Sequence, residues 1–159
     1  MSFYPFEVLL LKKSNMGNNM KPRLNIVTLG VEDLQKSKEF YKKALGWEPG
    51  NGSDGNIVFF NHGGIILALY PLDKLAEDAN IPVERSGFSG VTLAINQDTK
   101  EAVTETFNRA IKNGAKVLIE PRDTFWGGFD AYFADPDGHP WEIAWAPFWE
   151  FDEQGSLKL

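Results

Sequence analysis

The sequence predicts an α+β fold made of two tandem βαβββ modules. Three observations predict it. A strand-like run, a helical stripe and three short strand-like runs occur twice in the same order. Both copies carry a Val-Thr-Leu segment near their start, Val27-Thr28-Leu29 and Val91-Thr92-Leu93. The intervals between the short runs are rich in Gly, Asn and Asp, the residues that tight turns demand. At 159 residues the chain suits a single domain. A chain of this size buries about 68–70% of the surface its unfolded form exposes, so no disulfide or structural metal is required.

The elements follow in order. Residues 1–20 hold a short apolar patch, then Lys12-Lys13, then the polar stretch from Ser14 to Asn19. A secretory signal has its positive charge before the apolar segment, the reverse of this order, so a disordered or appended extension is expected. Patterned sequence begins at 21, and the single domain is expected over 21–147. In the first module, 23–72, Leu24 to Val31 is β-branched and mostly alternating, which predicts a strand. Asp33 offers a helix N-cap. Leu34, Ser37, Tyr41, Ala44 and Leu45, with Phe40 beside them, share one helical face, and Gly46 closes the helix. Strands are expected at 47–50, 56–61 and 65–72. Residues 73–86 read as a linker with one helical turn near 75–79. The second module, 87–147, begins with a strand at 90–95. Asp98 with Glu101 resembles a capping box, and Ala102, Val103, Thr106, Phe107, Ala110 and Ile111 form the next helical stripe, ended by Gly114. Strands are expected at 116–120, 129–134 and 141–146, with a turn at Asp135-Pro136-Asp137-Gly138. Residues 148–159 form a C-terminal tail.

Composition removes several classes of function. There are sixteen Lys+Arg against twenty-two Asp+Glu, a net charge of −6. Such a chain repels phosphate backbones, so nucleic acid is not an expected partner. The longest apolar runs, such as Ile65 to Tyr70, fall far short of the roughly 20 residues that span a bilayer. With no cysteine there is neither a disulfide nor a thiolate nucleophile or metal ligand, and a cytoplasmic location is expected.

Two stretches carry a family resemblance. The segment from Val27 through Asp33-Leu34 and Phe40-Tyr41 to Leu45-Gly46-Trp47, and the segment from Phe133 through Asp135-Pro136-Asp137-Gly138 to Glu142-Ile143, together resemble the opening and ending of a module of the glyoxalase/bleomycin resistance protein/extradiol dioxygenase (vicinal oxygen chelate) superfamily. The resemblance covers roughly 23–147. It implies two modules whose curved mixed sheets enclose a cleft. Metalloenzymes of the family place His, Glu or Gln ligands on that cleft face. The corresponding positions here fall near Asn25 or Ile26, near 67–69, near Val91, and at Glu142. Only Glu142 is a ligand type, so no metal site and no cofactor are expected; a divalent metal is the alternative.

The remaining candidates divide between chemistry and architecture. Glu142 is either a carboxylate facing the cleft, able to act as a base or hydrogen-bond acceptor, or the partner of a cation such as Arg122. Asp130 and Tyr132 alternate with Phe129, Ala131 and Phe133, so one set faces the cleft, but alternation does not say which. Trp126, followed by Gly127-Gly128, offers a stacking surface for a planar or cationic ligand; otherwise it clamps the sheet edge. His139 precedes Glu142 by three residues and would reach it only if the chain bends at Pro140. His62 reads as an exposed turn residue. The aromatic segment Trp145 to Trp149 could form a contact in a homodimer, a state the resemblance also implies. Three functions remain open: a metal-free binder of a small cationic or aromatic molecule, an acid–base enzyme using Glu142, and a metal-dependent lyase or dioxygenase.

Overall fold

In the computed structural model, which describes residues 23–158, the chain enters along strand β1 (Ile26–Val31). Asp33 then starts helix α1 (Leu34–Leu45). Its Oδ1 accepts the backbone N–H groups of Gln35 and Lys36, each at 3.0 Å. Leu34, Ser37, Phe40, Tyr41 and Ala44 are buried on one face, as their spacing predicts. Gly46 ends the helix at φ 73°, a conformation that a side chain would strain. Strands β2 (Val58–Asn61) and β3 (Ile66–Pro71) follow. β3 lies in the middle, parallel to β1 and antiparallel to β2.

The strand expected at 47–50 is absent. Pro49 has no N–H to donate, and one bond, from Gly50 N–H to the Phe59 carbonyl at 2.7 Å, ties this segment to β2. Trp47 is taken up elsewhere: it stacks on Tyr41 with ring centroids 5.6 Å apart and an interplanar angle of 9°.

The expected linker opens with a two-turn helix, α2 (Leu72–Ala79), rather than a single turn. It lies against β1 at Gly30. A Cβ at Gly30 would stand 2.6 Å from Leu72 Cδ1, and 3.3 Å from both Leu72 Cα and Leu75 Cδ2. Gly30→Ala is therefore expected to push α2 off the sheet at a cost of about 1–3 kcal/mol. Thermal denaturation, together with the rate of tryptic cleavage at Lys74, would show it. An unchanged midpoint and unchanged cleavage would mean that α2 is not seated there.

The second module contains β4 (Leu93–Asn96), α3 (Lys100–Lys112), β5 (Lys116–Asp123), β6 (Phe129–Ala134) and β7 (Pro140–Trp145), with strand order β4-β7-β6-β5. β4 begins at Leu93, three residues later than the pattern suggested. The cap of α3 is Thr99, not Asp98: the Thr99 hydroxyl accepts the Ala102 N–H at 3.1 Å. Within the expected tail, β8 (Glu150–Phe151) and β9 (Leu157–Lys158) form a small hairpin. No helix among the described residues is long and apolar enough to cross a membrane. The extension expected at 1–20 lies outside the described residues.

One core serves both modules. Leu29, Val31, Phe60 and Leu69 from the first sheet meet Phe133 and Ile143 from the second, with Phe40 and Phe107 of the two helices among them. α1 packs directly on α3. The Asp135–Gly138 turn clamps the modules together. Asp135, 3% exposed, accepts the Tyr41 hydroxyl at 2.6 Å through Oδ2, and the Asp137 and His139 N–H groups through Oδ1. The Trp141 indole donates to the Tyr41 oxygen at 3.1 Å. Asp137 in turn accepts the Glu32 N–H at 2.8 Å and the Ser37 hydroxyl at 2.5 Å, at the junction of β1 and α1.

Since strand side chains alternate, the core assignment also settles what the other faces carry. Val27, Leu29, Leu67, Leu69, Val58 and Phe60 point to the core, so Ile26, Thr28, Ala68, Tyr70 and Phe59 occupy the open face of the first sheet. In the second sheet Ala131, Phe133, Trp141 and Ile143 point to the core, and Asp130, Tyr132, Glu142 and Ala94 take the open face.

Candidate functional site

The open face of the second sheet brings together four of the residues singled out from sequence. Tyr132 on β6 is the register partner of Glu142 on β7. Asp130 lies two residues back on β6. The loop between β5 and β6 carries Trp126 over the same face. Together with Arg122 and Phe125 these residues line a cavity of about 530 Å³, within the range of small-molecule sites.

Arg122 belongs here as well, and sequence reasoning placed it only as a partner for Glu142. Its Nε instead donates to Asp130 Oδ1 at 3.1 Å. The register of β5 against β6 slips between Val117 and Ile119 and again between Ile119 and Arg122. Such bulges re-aim side chains, and here they set Arg122 beside Asp130. The signal in the sequence was Pro121, since a proline inside a strand marks an edge or a bulge. Asp130 is only 5% exposed, so it is not the solvated surface charge that an isolated Asp usually is. Arg122 supplies the partner that its buried carboxylate requires.

Burial, then the adjacent Glu142 carboxylate, push the Tyr132 hydroxyl up to about 12. The phenol therefore keeps its proton at neutral pH and is a hydrogen-bond donor. Glu142, without Arg122 as its counter-ion, is an anionic acceptor beside that donor.

Trp126 is held by a short loop. Thr124 N–H donates to the Gly128 carbonyl at 3.0 Å, and Gly128 N–H donates to the Thr124 hydroxyl at 2.9 Å. The indole lies directly on Gly128: a Cβ there would fall 1.8 and 2.0 Å from its ring carbons. Trp149 and Phe148 flank the indole, with ring centroids at 5.8 and 6.4 Å. The late aromatic segment thus backs Trp126 within the chain. Phe125, beside it, is fully exposed.

His139 is not part of this group. Its Nε2 lies 2.9 Å from the Gly30 carbonyl, at the junction between the modules, and it does not join Glu142. His62 occupies the turn before β3 and packs on Trp47, with ring centroids 4.1 Å apart; burial lowers its pKa. It borders a second cavity of about 400 Å³ between β1 and β4. That cavity is lined largely by apolar side chains, among them Val27, Leu67, Leu93 and Trp141, with Asn96 and His62 as polar side chains at its wall.

Known proteins share this fold. The family model described as Glyoxalase/Bleomycin resistance protein/Dioxygenase superfamily matches residues 23–143. A glyoxalase-related enzyme from Fulvimarina pelagi superposes with a TM-score of 0.80 at 33% identity, covering 87% of this chain and 98% of that one. Lactoylglutathione lyase from Agrobacterium tumefaciens superposes with a TM-score of 0.61 at 26% identity, covering 82% and 98%. Among curated relatives, metallothiol transferase FosB of Staphylococcus haemolyticus is 31% identical over 121 residues, which make up 76% of this chain and 81% of the transferase.

Proposed function

The chain belongs to the glyoxalase/bleomycin resistance protein/dioxygenase superfamily, and from that premise we propose that it is a metal-independent binder of a small molecule with a cationic group and an aromatic body. The observation that carries this reading is the Tyr132–Glu142 pair beneath Trp126 in one cavity. A neutral phenol and an adjacent carboxylate orient a cationic or hydrogen-bond-donating group, and the indole packs against the rest of the ligand.

A divalent metal does not fit the side chains present. On the open faces, the strand positions flanking Glu142 in register are Ala94 and Tyr132. The corresponding face of the first sheet carries Ile26, Thr28, Ile66 and Ala68. The Ile and Ala side chains offer no donor atom, Thr28 and Tyr132 offer only neutral hydroxyls, and first-row metals are held by imidazole, thiolate or several carboxylates. Among the described residues no group of three His, Cys, Asp or Glu could hold a metal ion. Acid–base catalysis through Glu142 is the weaker alternative, because the phenol beside it, pushed up to about 12, gives it no second group that exchanges protons readily near neutral pH.

The protein is expected to act as a homodimer. The cavity beside Glu142 is lined only by the second module, and a separate cavity beside Ile26 and Phe59 only by the first. A second copy would close each open face with the other.

Two measurements test the proposal. Protein purified without a metal-affinity tag should carry well under one nickel, zinc, manganese or iron per chain by plasma mass spectrometry; near-stoichiometric metal would revive the metal-dependent lyase or dioxygenase reading. By calorimetry, benzylamine should bind wild type, unaffected by chelator. Glu142→Gln should weaken it by about tenfold or more, the scale of a charge-assisted hydrogen bond. Equal affinity for both proteins would remove Glu142 from the site.

A further inference from the structure

Glu142 is not the only charge able to reach a ligand in this cavity. Arg122 lines it too, and among the described residues its guanidinium is engaged only through Nε, by Asp130. The guanidinium presents five N–H donors in a planar fork, so holding one carboxylate at the Nε edge leaves the terminal nitrogens for a second anion. The Arg122 side chain is 57% exposed, whereas that of Asp130 is 7% exposed. The buried partner thus anchors one end of the guanidinium while the other stays accessible. Asp130 is a positioning residue in this arrangement.

The separation of the two charges follows from the register. Arg122 pairs with Asp130 on β6, and Glu142 pairs with Tyr132, two residues further along β6 on its other side. Two strand spacings and a two-residue rise put the α-carbons of Arg122 and Glu142 roughly 12 Å apart. Tyr132 lines the cavity with both of them, and its hydroxyl feels each charge: Glu142 raises its pKa and Arg122 lowers it. Tyr132 stands between the two charged residues in the register, and Trp126 lines the same cavity.

We infer that the ligand is a zwitterion, with its cationic end on Glu142, its anionic end on Arg122, and a flat apolar body between them against Trp126. This rests on the cavity beside Glu142 being the binding site and narrows its ligand class. A purely cationic molecule would leave the exposed end of Arg122 to water. A purely anionic one would meet the Glu142 carboxylate.

The test compares four probes on one aromatic body by isothermal titration calorimetry with the full chain: 4-(aminomethyl)benzoate, benzylamine, benzoate and benzyl alcohol. The zwitterion should bind about tenfold or more tighter than either singly charged probe, one charge-assisted contact apart. Arg122→Gln should abolish its advantage over benzylamine. Glu142→Gln should abolish its advantage over benzoate. Because R122Q strands the buried Asp130, the double variant R122Q/D130N, which replaces the ion pair by an amide pair, should show the same loss of preference with the fold retained by circular dichroism. Benzylamine matching the zwitterion in wild type, or a preference that survives in R122Q/D130N, would overturn the inference and leave the cation-binding site standing. If neither benzylamine nor the zwitterion binds, the site itself is misassigned and both readings fall together.

Discussion

Asp135→Ala is expected to be the most damaging single substitution outside the apolar core, costing about 3–5 kcal/mol in urea-induced unfolding. The carboxylate is 3% exposed and accepts three donors at once: the Tyr41 hydroxyl and the N–H groups of Asp137 and His139. Alanine strands all three. It also frees the turn whose Asp137 reaches Glu32 and Ser37 of the first module. Tyr41→Phe keeps the ring against Trp47 and Trp141 and should cost less. Burial raises the pKa of Asp135, which fixes the sign of its pH effect. The folded state resists ionising a group that ionises readily when unfolded. Its contribution is therefore most favourable below the unfolded value of about 3.9 and declines as pH rises through the raised folded value. Asp135→Asn cannot ionise, so at pH 7 it should lose less than D135A. A cost for D135A below about 1 kcal/mol would mean that the turn does not clamp the modules.

The second large effect is expected at Gly128. A Cβ there overlaps the Trp126 ring at 1.8 and 2.0 Å, and on the other side stands 2.6 Å from the Trp145 carbonyl oxygen. The carbonyl belongs to a paired strand and cannot retreat, so the indole must leave. Gly128→Ala should cost about 1–3 kcal/mol by overpacking, shift tryptophan fluorescence to the red, and weaken benzylamine by about tenfold, the upper range for a lost aromatic pair. Trp126→Ala separates the two causes: it keeps the backbone and removes only the wall, and should lose the same affinity with a smaller change in stability. Affinity unchanged in both variants would take Trp126 out of the binding site.

The elements written into local pattern were legible before the structure. Asp33 caps α1, the stripe from Leu34 to Ala44 is buried, Val103, Thr106, Phe107 and Ala110 are buried on α3, and Asp135 to Gly138 is a turn. Each depends on residues within a few positions of one another, so period and turn chemistry suffice. The segment 47–50 misled because its fate is not local. Trp47 finds Tyr41 at stacking distance, and Trp141 at 5.6 Å, almost a hundred residues on. Thr99 displaced Asp98 as cap by a single residue, a choice between neighbours that a pattern cannot make.

The candidate site divides along the same line. The sequence determined by itself that Asp130 and Tyr132 share a face and that no histidine lies on the strands beside Glu142, and the family resemblance marked Glu142 as an expected ligand position. Which face they occupy was decided by α3 and the apolar residues packed on the other side, since alternation has a period but no sign. Tertiary structure also gave Arg122 to Asp130 rather than to Glu142, through two slips of register around Pro121. It turned His139 to the Gly30 carbonyl instead of the cavity. A pattern of side chains sets what each strand can present. Where each side chain ends up depends on what covers the opposite face and on which distant group satisfies a buried charge, and only the packed molecule supplies both.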